Sequence, residues 1–171
     1  MIATFARWLL NAACAGLLVL ASLGDRSTLN DLARLIPQPQ PTNAIVTEGP
    51  GKVVLRADPR GHFLVRADVD GQPIRFLVDT GASNVVLSAS DAERLDLKVG
   101  AHDYTEIYST PGGVVRAAPV RLGEVRIGAL RMRNVRASVS AQPMDVSLLG
   151  ASFLARLGGY EVSHGQMTLR W

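Results

Sequence analysis

The chain is poor in the residues that most often announce a chemistry. One cysteine, Cys14, occurs in 171 residues. No internal disulfide can form, and thiols say nothing about the redox compartment. Cys14 follows Asn11-Ala12-Ala13, which is not the leucine-led box of a lipoprotein acceptor. The histidines, His62, His102 and His164, are scattered without metal-ligand spacing. No metal site and no other cofactor is therefore expected. Lysine is reduced to Lys52 and Lys98, so the net charge of +3 rests on arginine. Arg121, Arg126, Arg131, Arg133 and Arg136 crowd one stretch, but they alternate with Val125, Ile127, Leu130, Met132 and Val135. That is the pattern of a strand with one wet face. With aromatic residues at only 5%, nucleic acid is not expected as a partner. No repeat of solenoid period occurs.

Polar residues are missing from one further place. Between Trp8 and Leu23 only Asn11 and Ser22 interrupt an apolar run that follows Arg7. The run is a little shorter than the roughly 20 residues that span a bilayer, and Ile2 to Ala6 lengthen it. Residues 1–24 read as an uncleaved signal anchor, a transmembrane helix; a signal peptide cut near Val19-Leu20-Ala21 is the alternative. Either reading carries the rest of the chain across a membrane. Residues 25–50 read as a linker, with a short helix over 27–35 and then Pro37-Gln38-Pro39-Gln40-Pro41, semi-rigid and extended.

From residue 51 to 171 the texture is β. Strands are expected at 53–55, 62–69, 74–78, 85–87, 104–108, 114–122, 125–127, 130–139, 160–162 and 167–171. Asp70-Gly71 reads as a tight hairpin turn. Ser90 with Glu93 three residues on predicts a capped helix to Leu95, and a second helix is expected over 151–157. The expected fold is all-β, with short antiparallel strands and two short helices, closed or barrel-like.

One segment stands out chemically. Phe76-Leu77-Val78 is an apolar strand that runs into Asp79-Thr80-Gly81-Ala82-Ser83. A carboxylate at the end of a buried strand is costly unless it is paired, hydrogen-bonded or useful. Gly81 lets the backbone turn and brings amides close to the carboxylate. Thr80 carries a hydroxyl that can bond a neighbour. An ordinary turn after a strand is the plain alternative, but the apolar strand before it and Val85-Val86-Leu87 after it favour a site.

This octet resembles the active-site signature of aspartic proteases. The whole segment from about residue 50 resembles the retropepsin-like members, most of all the short membrane-anchored bacterial ones. Three features occur in the family's order: the Phe76–Ser83 loop, a glycine-tipped hairpin at Gly112 and Gly113 that resembles the substrate-covering flap, and Leu148-Leu149-Gly150 before a helix. The last resembles the element that supports the active-site loop. Ala151-Ser152-Phe153 follows where retroviral members usually carry a polar residue, and Pro111 sits at the flap tip. The resemblance implies a retropepsin-like closed barrel with one half-site per chain. It implies Asp79 as the catalytic carboxylate, Thr80 bonding across a two-fold axis, and Gly81, Ala82, Gly112 and Gly113 offering backbone groups to an extended peptide. With one Asp-Thr-Gly in the chain, an aspartate pair needs a homodimer. The expectation is thus an aspartic endopeptidase on protein substrates, held in a bacterial inner membrane by one span with its catalytic domain in the periplasm. The competing expectation keeps the fold and the tether but makes the domain a non-catalytic peptide-binding or assembly module.

Overall fold

The computed structural model describes residues 47–110 and 112–171. The expected membrane anchor at 1–24, the helix at 27–35, the linker as far as residue 46 and the flap's Pro111 lie outside the described residues. Residues 47–49, expected as linker, form the first strand.

In chain order the elements are β1 (Thr47–Gly49), β2 (Lys52–Arg56), β3 (Leu64–Val69), β4 (Gln72–Val78), β5 (Val85–Leu87), α1 (Ala89–Arg94), a 3-10 turn (Ala101–Asp103), β6 (Glu106–Thr110), β7 (Gly113–Ile127), β8 (Leu130–Ser140), β9 (Ser147–Leu149), α2 (Ala151–Leu154), β10 (Gly159–Ser163) and β11 (Gln166–Arg170). Period-2 alternation drives the strands. In β4, Ile74, Phe76 and Val78 point into the core while Arg75 stays wet.

Two sheets result. The smaller runs β1-β2-β11-β10, all antiparallel. The larger runs β3-β4-β9-β5-β8-β7-β6, and β3 also pairs with β7. Strands β3, β4, β9, β5, β8 and β7 therefore close into a barrel, as expected, and β6 projects from it as the outer arm of a hairpin. Within the barrel β4 pairs with β9 and β5 with β8 in parallel. The antiparallel expectation fails there, because crossovers leave no mark on local periodicity.

The β3–β4 turn places Asp70 and Gly71 at φ 49° and 87°, the left-handed pair of a tight hairpin. The Asp70 carboxylate then accepts from the amides of Gly123 (3.0 Å) and Glu124 (2.7 Å) in β7. A Cβ on Gly123 would stand 2.6 Å from Asp70 Oδ1, so this approach requires glycine.

Strand β7 also corrects the expected break after Leu122. It is one strand of 15 residues. The core-facing side slips phase there: Leu122 is buried, then Val125 and Ile127, while opposite them Asn134 takes φ 52° between buried Met132 and Val135. In sequence the slip imitates a turn. Around it Arg121, Arg131, Arg133 and Arg136 are exposed, the wet face that the alternation predicted. The cap of α1 is Ser88, not Ser90; Ser88 Oγ accepts from Asp91 N at 3.2 Å and also bonds Ser90 Oγ at 3.1 Å. Helix α2 stops at Leu154 instead of Leu157, because the chain tightens into i to i+3 bonds, from Arg156 N to Phe153 O and from Leu157 N to Leu154 O.

Candidate active site

Strand β4 ends on buried Val78 and delivers Asp79, which is half-buried. The loop 79–84 then leads to β5. Strand β9 lies between the two, parallel to β4 (Leu77↔Leu148, Val78↔Leu149) and crossing β5 at Val86↔Leu148. This crossing fixes the loop. Asp79 N donates to Leu149 O (3.1 Å), Ala82 N to Asp79 O (3.3 Å), Ala151 N to Ala82 O (2.7 Å) and Ser152 N to Ser83 O (2.9 Å). The loop carbonyls thereby satisfy two amides that the start of α2 leaves without helical partners. A Cβ on Gly150 would fall 2.1 Å from Asn84 O and 2.5 Å from Ala82 O. No side chain fits between these backbones. Leu148, Leu149 and Gly150 therefore lie against the Asp79 loop.

On the other side of the loop, Gly81 N donates to Asp79 Oδ1 at 2.8 Å. The turn thus aims an amide at the carboxylate. Thr80, Gly81 and Ser83 are exposed, and Ala82 is half-buried. Asp79, Gly81, Ala82 and Ser83 line one edge of a cleft of ≈ 530 Å³. Its apolar wall includes Val86, Val115, Ala117, Met144 and Leu148, and the β6–β7 hairpin contributes Tyr108, Ser109 and Thr110. Thr110 pairs with Gly113 at the hairpin end, where Gly113 has φ 110°. Gly112 and Gly113 are exposed and do not line the cleft; the stem of the hairpin does. Among the described residues no cluster of three or more His, Cys, Asp or Glu side chains could hold a metal ion.

Two polar clusters next to the site were not foreseen. Asn84 Nδ2 donates to Tyr108 Oη (2.7 Å), Tyr108 Oη donates to Glu106 Oε2 (2.7 Å), and Ser138 Oγ donates to the same carboxylate oxygen. Burial pushes the Tyr108 phenol above its ordinary value of 10.0; the contact with Ser138 Oγ at 3.2 Å and the bond from Asn84 pull it down, and Glu106 adds to the rise. The second cluster joins α1 to β9. Fully buried Ser147 donates to Asp91 Oδ2 (2.6 Å) and accepts from Ser88 N (3.0 Å). Glu106 and Tyr108 alternate correctly for one strand face, but nothing in the sequence points to their partners.

Comparison with known proteins agrees with this geometry. The family model described as "gag-polyprotein putative aspartyl protease" matches residues 65–156. A solved retropepsin-like aspartic protease from Rickettsia conorii is 35% identical with a TM-score of 0.65, covering 71% of this chain and 91% of that one. Two uncharacterized bacterial proteins are also similar. One, from the cobV 5′ region of Sinorhizobium sp, is 41% identical over 140 residues, and the other, RP867 of Rickettsia prowazekii, is 35% identical over 121. The matches cover 81% and 71% of this chain, which spans 60% and 52% of the length of these two relatives. A family match over more than half of the sequence, the closed barrel and the loop that β9 supports lead to one conclusion: the chain belongs to the retropepsin-like aspartic protease family.

Proposed function

We propose that the protein is an aspartic endopeptidase that works as a two-fold homodimer. The observation that carries this reading is the state of Asp79: a half-buried carboxylate at the edge of a ≈ 530 Å³ cleft, held by the Gly81 amide at 2.8 Å. No other carboxylate among the described residues lines that cleft, and the sequence has no second Asp-Thr-Gly. A second copy would supply the second aspartate. Two carboxylates brought close share one proton, since both cannot ionise side by side. One then takes a proton from water as the water attacks the peptide carbonyl, and the other, protonated, polarises that carbonyl. Exposed Thr80 would meet its counterpart near the axis. Gly81 and Ala82, with Gly112 and Gly113 of the flap once it closes, would bond the main chain of an extended peptide.

The apolar run at residues 8–23 behind Arg7 and the proline-spaced stretch supports a further part of the proposal. The domain is tethered to a bacterial inner membrane and faces the periplasm. Confinement in two dimensions would raise the effective concentration for dimerisation. A periplasm-only reporter fused after residue 171 should be active; an active cytoplasmic reporter there would overturn this topology.

The deciding experiment compares wild type with Asp79→Asn on a peptide library, at several protein concentrations with sedimentation alongside. Wild-type specific activity should rise until the dimer saturates, and Asp79→Asn should be folded and inactive. Cleavage by well-folded Asp79→Asn would sink the protease assignment. Cleavage by a strictly monomeric species would remove the dimer. A folded wild type that binds peptides without cutting them would leave the peptide-binding module.

A further inference from the structure

We propose that Tyr108 is a positioning residue: its hydroxyl couples the stem of the flap hairpin to the loop that carries Asp79, and Glu106 and Ser138 hold the phenol in orientation. The consequence for substrate rests on the protease reading; the coupling itself does not.

The need for such a tie follows from topology. Among the described residues, strand β6 stands at the end of the larger sheet and its backbone ladder is with β7 alone. Its outward face is little help. Ile107 is 67% exposed and Val114, on the facing strand, 65%. One short ladder and an unburied outer face would leave the stem free to ride up and down over the cleft.

The inward face carries the tie. Tyr108 accepts from Asn84 Nδ2 and donates to Glu106 Oε2, each at 2.7 Å. A phenol has one proton to give, so with its donor used on one side and its acceptor on the other the hydroxyl has a single orientation. Glu106, two residues back on the same strand face, also receives the hydroxyl of Ser138, which is 1% exposed on β8. The carboxylate is thus tied to a strand of the barrel wall.

The other end of the tie is equally well placed. Asn84 closes the Asp79 loop, and its carbonyl lies where Gly150 leaves no room for a Cβ. Pinned on that side by the crossing of β9 and α2, Asn84 can register the flap stem against the Asp79 loop. Tyr108 and Asp79 line the same cleft. Lifting the stem breaks the Asn84–Tyr108 bond, so an incoming peptide meets a flap whose height is already set relative to the carboxylate.

The test is Tyr108→Phe in the full chain, which keeps the ring and removes the hydroxyl. Amide hydrogen exchange in Ile107–Thr110 should quicken by about fivefold, and KM for a cleaved peptide should rise by a similar factor with kcat nearly unchanged, the scale of one lost neutral hydrogen bond. Asn84→Ala should give the same exchange change, and the double variant should add nothing, because both substitutions remove the one bond between stem and loop, whereas the Tyr108–Glu106 bond that Tyr108→Phe also removes lies within β6. Unchanged exchange in Tyr108→Phe would overturn the proposal, and so would fully additive effects. Lower thermal stability with unchanged flap exchange and KM would make the network a brace of the barrel only. If the wild type cleaves no peptide, the protease reading falls, and the exchange comparison alone decides the coupling.

Discussion

On the floor of the cleft, the Asp79 loop is held by backbone hydrogen bonds from β9 and α2 and by a glycine that admits no side chain. Above it, the β6–β7 hairpin hangs from one ladder and one side-chain cluster. Under the proposed function, the difference follows the demands on each part. A carboxylate that must meet another group has to stand still, and main-chain contacts cannot adjust by changing rotamer. A segment that must admit and cover a peptide needs a low-energy way to move, and a few side-chain bonds provide one.

Substitution can break this contrast at its rigid end first. Gly150→Ala forces a methyl into the carbonyls of Asn84 and Ala82. It should cost about 3–5 kcal/mol or prevent folding, because backbone atoms on both sides cannot withdraw. A urea-unfolding midpoint equal to wild type would show that the loop is not gripped as described. Asp91→Ala comes next. It leaves the fully buried Ser147 hydroxyl without its acceptor, which should cost about 2 kcal/mol. An unchanged urea-unfolding midpoint would show that the hydroxyl finds another acceptor.

The hairpin end gives smaller effects. The Tyr108 phenol has a raised pKa, so the folded state keeps its proton to higher pH than the unfolded chain does. This contribution is fully present below the ordinary value of 10.0 and is lost as pH rises through the folded value. Thermal stability should therefore fall above pH 10, and Tyr108→Phe should flatten that fall. An equal alkaline slope in the two proteins would contradict it. Smallest of all, Ile107→Ser on the outward face of the hairpin should change stability by less than about 0.5 kcal/mol. A larger loss would mean that the flap is held by its outer face as well.

What the sequence discloses follows the same division between local and distant. Asp79-Thr80-Gly81 and Asp70-Gly71 could be read directly, because a turn and the strand before it are written in adjacent residues. The barrel could be read from alternation. The seat of Leu148, Leu149 and Gly150 against the loop came only through family resemblance, since nothing within β9 says which strands flank it. The phase slip at Gly123 and Asn134 was read as a break, because a shift of the buried side and a turn look alike in one strand; only the pairing with β8 separates them. Ser90 with Glu93 three residues on points to the wrong serine, since the helix is capped two residues earlier by Ser88. Asn84, Tyr108, Glu106 and Ser138 were silent, since their meeting depends on a loop and two strands, β6 and β8, that only the tertiary fold brings together.

The barrel is joined at its β3–β7 seam by only two residue pairs, Asp68↔Arg126 and Val69↔Val125, with the Asp70 carboxylate as a clasp beside them. Hairpins β3–β4 and β7–β8 are local, whereas the clasp joins positions 53 and 54 apart in sequence, so the seam is expected to shut late in folding. Until it shuts, two bare strand edges are open to pairing with neighbouring chains. Arg66 and Arg75 face each other across β3–β4, as do Arg121 and Arg136 across β7–β8. The arginines that look like a mere wet surface in the finished barrel thus become gatekeepers of the unfinished one. Refolding yield of an Arg66→Thr/Arg75→Thr variant should fall more steeply with protein concentration than that of wild type; parallel yields would assign those charges to solubility of the native state alone.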